Sequence, residues 1–178
     1  MTRPFDPGQD FFALFGLTRA QGVDLDRLEA LYRELQARVH PDKHVHLSDV
    51  EQRLAMQWAT HVNEAYLTLK DPLKRARYLL ELHGHDVRLE TNTAMPTAFL
   101  VAQMELREAV AEAKEGGDVD ALDDLHRRLK KEIRGEYANL QATLDAGEAE
   151  RAGALVRQLM FQEKLLHEIG DALEVLET

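Results

Sequence analysis

The chain contains no cysteine, a single tryptophan and no long uninterrupted apolar run. The absence of cysteine excludes disulfides and thiolate metal ligands, and it agrees with a reducing compartment. No stretch approaches the roughly 18 consecutive apolar residues that a membrane helix requires. The first residues also lack the apolar core of a signal peptide. We therefore expect a cytoplasmic protein that does not enter a membrane.

Acidic charge is concentrated in the C-terminal half. Residues 1–83 contain 11 Lys/Arg and 12 Asp/Glu, a net charge of −1. Residues 84–178 contain 11 Lys/Arg and 20 Asp/Glu, a net charge of −9, and the two halves sum to −10 for the chain. Because contacts to phosphate require positive charge, we expect no nucleic-acid partner for this half.

Alternating strand patterns are absent, and helical spacing of apolar residues fills most of the chain. The predicted helices lie near residues 9–15, 24–39, 49–69, 71–82, 97–114, 122–144 and 148–176. Pro96 suits the first turn of a helix, and Gly116-Gly117 is predicted to break one. Short connections imply antiparallel neighbours. The predicted fold is all-α, with a helical hairpin in residues 1–83, a linker at 84–95 and an antiparallel three-helix bundle in 96–178.

A polar tetrapeptide, His40-Pro41-Asp42-Lys43, separates two of the predicted helices. Proline disfavours helical geometry at the residue before it, so the first of these helices is predicted to end near His40. Further blocks in the same order are Asp10–Leu17, Tyr32–Leu35, Val62–Tyr66 and Leu69–Tyr78. Together these blocks resemble the signature of J-domain proteins, which are co-chaperones that stimulate DnaK-type ATPases.

The C-terminal half narrows the resemblance further. The segments Tyr78–Gly84, Thr97–Glu108 and Val156–Leu165 are similar to those of HscB-type co-chaperones of iron–sulfur cluster assembly. This resemblance implies two partners, a DnaK-type chaperone (HscA-like) and a cluster scaffold protein (IscU-like). It implies a protein that is not an enzyme and carries no cofactor. The alternative is a general J-domain adaptor that delivers an unrelated client.

The resemblance assigns His40, Pro41, Asp42 and Lys43 to contact with the chaperone. Pro41 fixes a backbone dihedral, so Asp42 can present its carboxylate to a cation on the partner. Helical periodicity places Arg27 and Arg38 at one flank of the preceding helix, and Arg33 on its far side. Arg27 and Arg38 are predicted to meet an acidic chaperone surface. The alternative is that these arginines contact no partner and only make the protein more soluble.

Periodicity separates two apolar sides on the first helix of the bundle. Phe99, Leu106, Val110 and Ala113 form the stripe predicted to be buried. A second apolar side is unexplained, because the helix has one core to face. The resemblance assigns this side to scaffold binding, and we call its residues the client face: Leu100, Val101, Met104, Glu105, Glu108 and Phe161. The alternative is that these residues contact the J-domain across the linker.

The sequence gives weaker indications of metal binding or catalysis. His44 and His46, or His83 and His85, could contribute zinc ligands, but we interpret them as solvated loop residues and predict no metal site. The pair Asp123-Asp124 is followed by arginines at helical spacing, which indicates an ion-paired helix surface rather than an acid–base site. Neither a nucleophile elbow nor a phosphate-binding loop occurs, so no catalytic residue is predicted.

Overall fold

The computed structural model describes residues 8–39, 48–85 and 95–176. Over these ranges the chain forms seven α-helices and no strand, which confirms the predicted all-α class. The chain divides into two compact units, Met1–Leu79 and Leu80–Thr178. The functional limits expected from the sequence, residues 1–83, 84–95 and 96–178, stay a prediction.

Four helices begin in the first unit. They are α1 (Phe11–Leu14), α2 (Leu25–Val39), α3 (Asp49–Lys70) and α4 (Pro72–Leu82). Both α1 and α2 pack against α3. The fully buried apolar side chains of this unit are Phe12, Leu28, Val62, Ala65, Leu69 and Ala76. Removal of this apolar surface from water, at about 25 cal/mol per Å², is the main force that holds the helices together.

The α2–α3 hairpin is joined by a network of polar and aromatic side chains. The rings of Tyr32 and Tyr66 stack with their centroids 4.0 Å apart. The Tyr32 hydroxyl donates a hydrogen bond to Asn63 Oδ1 at 2.8 Å, and Gln36 Nε2 donates to the same oxygen at 2.8 Å. This network therefore fixes the two helices that precede and follow residues 40–47.

A capping box defines the start of α3. Ser48 Oγ accepts a hydrogen bond from the Glu51 backbone N–H, and Glu51 Oε2 accepts one from the Ser48 backbone N–H at 3.0 Å. These hydrogen bonds satisfy donors that have no partner within the helix. The hydrogen bonds from Ser48 also hold the pKa of the Glu51 carboxyl below its ordinary value.

The short helix α1 is tied to the middle of α4. The Tyr78 hydroxyl accepts a hydrogen bond from the Phe11 backbone N–H at 3.0 Å, and the rings of these residues stack at 4.5 Å. Helix α1 is shorter than the predicted residues 9–15. It begins after the N-cap residue Asp10, and the chain leaves helical geometry at Phe15, before Gly16 with a φ of 65°.

Asp10 shows how local polar contacts set the start of α1. Its carboxylate accepts hydrogen bonds from the Ala13 backbone N–H at 3.0 Å and from Arg19 Nη2 at 2.9 Å. Partial burial alone raises the pKa of Asp10, but the hydrogen bonds from Arg19 and Ala13 outweigh it. The net result is a pKa below the ordinary value.

Three long helices form the second unit. They are α5 (Thr97–Gly116), α6 (Val119–Asp145) and α7 (Ala149–Leu176), in close agreement with the predicted bundle. The predicted break at Gly116-Gly117 is confirmed, and α5 runs two residues past the predicted residue 114. Helix α5 ends at Gly116, and its C-cap is Gly117, whose φ of 63° lies in the left-handed region that glycine adopts without strain.

Helical spacing predicts an apolar stripe from Leu122 to Leu144 on α6 and another from Leu155 to Leu176 on α7, and the bundle core follows these stripes with a few exceptions. Its most buried leucine and isoleucine side chains are Leu122, Leu129, Leu140, Leu159, Leu165 and Ile169. Tyr137, Leu144, Leu166 and Leu173 are half-buried. The prediction was wrong for Leu176, which is exposed because it lies in the last turn of α7, at the end of the bundle.

Candidate partner-binding sites

The predicted chaperone contacts fall partly within the described residues. His40, Pro41, Asp42 and Lys43 lie outside them, so their assignment stays a prediction. Arg27 and Arg38 are both exposed on α2. Their separation of eleven residues puts them on the same side of the helix, but about 16 Å apart along its axis. They are therefore separate positive charges on one flank of α2 rather than a compact cluster.

Arg33 lies on another side of α2, more than 100° around the helix from Arg27 and Arg38, as helical periodicity predicted. Its guanidinium forms an ion pair with Glu29, one turn earlier on α2. This pair joins two residues of the same exposed helix surface. Arg33 is therefore a suitable reference for the contributions of Arg27 and Arg38.

The client face is exposed on α5 and α7. The exposed fractions are 43% for Leu100, 49% for Val101, 70% for Met104 and 45% for Phe161. Glu105 and Glu108 are also exposed. Exposed apolar side chains of this size with charged neighbours are typical of surfaces that bind another protein.

The predicted buried stripe of α5 is only partly buried. Val110 and Ala113 are 6% and 7% exposed, whereas Phe99 and Leu106 are half-buried. The core therefore covers the C-terminal half of α5 more completely than the half that carries the client face.

An ion pair links the two helices of the client face. Arg107 Nη1 on α5 lies 2.9 Å from Glu168 Oε2 on α7. Because both connections in the bundle are short, α5 and α7 each run antiparallel to α6 and hence parallel to each other. Leu100 and Phe161 each lie seven residues before a member of the pair, about 10 Å along the helix axis. The register set by the pair thus brings Leu100 and Phe161 to the same level.

Neither this ion pair nor the burial of two glutamine side chains was predicted from the sequence. Gln103 and Gln162 are 8% and 2% exposed. Gln162 Nε2 donates to Glu132 Oε1 at 3.0 Å. Within the described parts of the chain, neither amide oxygen accepts a hydrogen bond. The common spacing of 61 residues from Leu100 to Phe161 and from Arg107 to Glu168 was visible in the sequence, but it has meaning only once α5 and α7 are known to be parallel.

The structure describes the carboxylate pair of α6 and the second histidine pair. Arg127 Nε lies 3.1 Å from Asp123 Oδ2 and also pairs with Asp124, which confirms the ion-paired surface predicted for α6. His83 and His85 are exposed, and His44 and His46 lie outside the described residues. Over the described ranges, no group of three acidic or histidine residues could hold a metal ion. None of the described helices is long and apolar enough to cross a membrane.

Comparison with known proteins places this architecture in a defined class. Residues 95–170 match the family model described as the HSCB C-terminal oligomerisation domain. The co-chaperone protein HscB homolog of Aromatoleum aromaticum is 55% identical over 97% of this chain and 98% of its own length. The corresponding protein of Cupriavidus taiwanensis is 55% identical over 94% of this chain and 96% of its own length.

Solved structures agree with these relatives. Chaperone HscB from Vibrio cholerae superposes with a TM-score of 0.84 at 35% identity, and the match covers 94% of this chain and 99% of that one. Human co-chaperone HscB superposes with a TM-score of 0.88 at 30% identity, over 93% of this chain and 82% of the human chain. The fold and its relatives define a J-domain co-chaperone. The chain belongs to the HscB family.

Proposed function

We propose that this protein delivers an IscU-like scaffold to a DnaK-type, HscA-like chaperone during iron–sulfur cluster assembly, and that it stimulates the chaperone's ATPase. In this proposal residues 1–83 act on the chaperone, residues 96–178 bind the scaffold and residues 84–95 connect the two. The protein acts in the cytoplasm and contributes no catalytic residue or cofactor, since hydrolysis takes place on the chaperone.

The exposure of the client face is the observation that carries the proposal. Leu100, Met104 and Phe161 are each more than 40% exposed, although a core of buried leucines lies within the same bundle. Apolar side chains at the centre of an interface supply most of its binding energy when a partner excludes water from them. Glu108 within the client face and Glu105 at its edge favour a scaffold surface that combines apolar and basic residues.

The chaperone contact rests on different support. The sequence puts Asp42 directly after Pro41, and a carboxylate forms strong hydrogen bonds with a cation of a partner. The polar network of Tyr32, Gln36 and Asn63 holds the helices on either side of this tetrapeptide in a fixed arrangement. Arg27 and Arg38 add positive charge that accelerates encounter with an acidic surface.

A steady-state ATPase assay tests the proposal. The HscA-like chaperone is measured alone, with this protein, with the scaffold, and with both. We expect stimulation by this protein alone and a greater-than-additive rate when the scaffold is also present. A general adaptor for an unrelated client predicts stimulation without that synergy. If this protein alone produces no stimulation, its proposed action on the chaperone is wrong.

Two neighbouring residues on α7 provide a matched control for the scaffold site. Phe161 is 45% exposed and Met160 is 37% exposed, but successive helical residues point about 100° apart. Phe161→Ala is expected to remove the synergy with the scaffold, whereas Met160→Ala is expected to retain it. Equal loss in both variants would mean that the client face has been placed on the wrong side of α7.

A further inference from the structure

We infer that the ion pair between Arg107 and Glu168 positions the client face by fixing the register of α5 against α7. Only the identity of the partner rests on the proposed function. The pair joins the two helices at 2.9 Å. It is a hydrogen bond between a charged side chain of α5 and one of α7. Arg107 and Glu168 are therefore positioning residues, and the apolar side chains contact the partner.

The part of α5 that carries the client face is weakly held. Its N-cap, Pro96, provides no side-chain hydrogen bond, and the first buried residue of the helix is the polar Gln103. Within the described ranges the buried Gln103 Oε1 accepts no hydrogen bond, and a buried acceptor without a donor destabilises the packing of this part of α5. The buried apolar residues Val110 and Ala113 lie further along the helix. The turns that carry Leu100 and Met104 therefore have fewer apolar core contacts to fix their position than the turns around Val110 and Ala113.

A directional contact supplies what the apolar contacts lack. A hydrogen bond between a guanidinium and a carboxylate has a preferred distance and orientation. Without this contact, the first turns of α5 can shift relative to α7 while Val110 and Ala113 stay in the core. Such a shift would separate the α5 and α7 parts of the client face. Loss of the ion pair therefore disturbs the face while the core stays closed.

The first test requires no partner. Because the chain has no cysteine, Leu100→Cys and Phe161→Cys can carry two spin labels at defined positions. Double electron–electron resonance then measures the distribution of distances between them. We expect a narrow distribution in this labelled protein, and a broader or shifted one when Arg107→Ala is added. Combining Arg107→Glu with Glu168→Arg restores the pair with its charges reversed and is expected to restore the narrow distribution. An unchanged distribution in Arg107→Ala would overturn the inference.

The second test measures affinity for the purified scaffold with unlabelled protein. Arg107→Ala and Glu168→Ala are each expected to weaken binding about two- to fivefold, the range of exposed ion pairs. The charge-reversed double variant is expected to bind normally. Arg127→Ala, which removes an exposed ion pair on α6, is the matched control and is expected to have no effect.

The charge reversal separates positioning from direct contact. If Arg107 touched the scaffold itself, reversal of both charges would not restore binding, and the inference would be wrong. If the wild-type protein binds no scaffold at all, the proposed function fails, while the distance distributions still decide whether the pair sets the register. Circular dichroism and thermal unfolding of each variant show whether a change in binding reflects loss of the fold.

Discussion

The two units present their predicted sites in different ways. In the first unit the predicted chaperone contact is four consecutive residues, His40 to Lys43, between two helices. In the second unit the client face combines one side of α5 with Phe161 of α7, 61 residues after Leu100. A contiguous site depends mainly on local backbone geometry. A face shared by two helices depends on how those helices pack, so it is sensitive to changes at a distance.

Net charge also differs between the two halves of the chain. The first 83 residues are nearly neutral, whereas the remaining residues have a net charge of −9. Electrostatic complementarity mainly affects the rate of encounter and the choice of partner. An acidic second unit with an apolar face and a nearly neutral first unit with arginines on α2 are suited to chemically different partners. We therefore expect that substitutions which abolish one binding site leave the other site functional.

The largest expected effect is at Asp42. Replacing Asp42 with Asn removes the carboxylate charge and should abolish stimulation of the chaperone ATPase, while scaffold affinity is unchanged. Asp49→Asn, an exposed carboxylate in the first turn of α3, is the control and should retain most stimulation. ATP turnover and scaffold binding are measured on the same preparations. Normal stimulation by Asp42→Asn would remove the basis for the chaperone site.

The next effect concerns the client face. Simultaneous replacement of Leu100, Met104 and Phe161 with Ala should eliminate scaffold binding, with little change in melting temperature because all three are exposed. Leu129→Ala is the contrasting variant. It leaves the face unaltered but creates a core cavity, and it should reduce the free energy of unfolding by about 2–5 kcal/mol.

Calorimetric titration and thermal unfolding distinguish these outcomes. A large fall in melting temperature for the triple variant would mean that the three side chains belong to the core. The scaffold site would then have to be sought on another surface of the bundle.

A smaller effect is expected at Arg38. Arg38→Ala should lower chaperone stimulation about two- to fivefold, and added salt should reduce the difference from wild type because it screens exposed charges. Arg33→Ala is the matched control, since Arg33 lies on the far side of α2 and pairs with Glu29. Equal effects of the two substitutions would indicate a general contribution of positive charge.

The smallest expected effect is a local pH dependence at the start of α3. The hydrogen bonds from Ser48 lower the pKa of Glu51 in the folded protein below its ordinary value of 4.5. A lowered folded pKa means that this stabilisation is fully present above the unfolded pKa. It is then lost as the pH falls through the folded pKa. The measurement is hydrogen exchange of the Gln52 backbone amide in the wild type and in Glu51→Gln at each pH. The amide should exchange more slowly in the wild type at neutral pH, and this difference should disappear in acid. A difference that is independent of pH would contradict this role of the charge.

Much of the fold was predictable because helical periodicity is a local property. The limits of α4 and α7 agree with the sequence to within a residue or two. The exposed apolar side of α5 was also predictable, because Leu100, Val101 and Met104 cannot face the core while Val110 and Ala113 do. The length of α1 was not predictable to the same accuracy. Asp10 and Gly16 determine its ends through cap geometry that apolar spacing does not report.

Other features of the site arise only from packing. The burial of Gln103 and Gln162 was not predictable from the sequence, since an amide side chain usually lies at the surface and its placement here depends on neighbouring helices. The pairing of Arg107 with Glu168 likewise required knowledge of which helix lies beside α5.

The sequence alone thus determined the helices, the polar tetrapeptide between α2 and α3, the uneven charge and the second apolar side of α5. Each of these is set by residues close together in the chain, where periodicity and proline geometry act. Only the tertiary structure decided that Phe161 reaches the level of Leu100, and that an ion pair two turns further along joins their helices. That information depends on the register between two parallel helices, and contacts between residues 61 positions apart set this register.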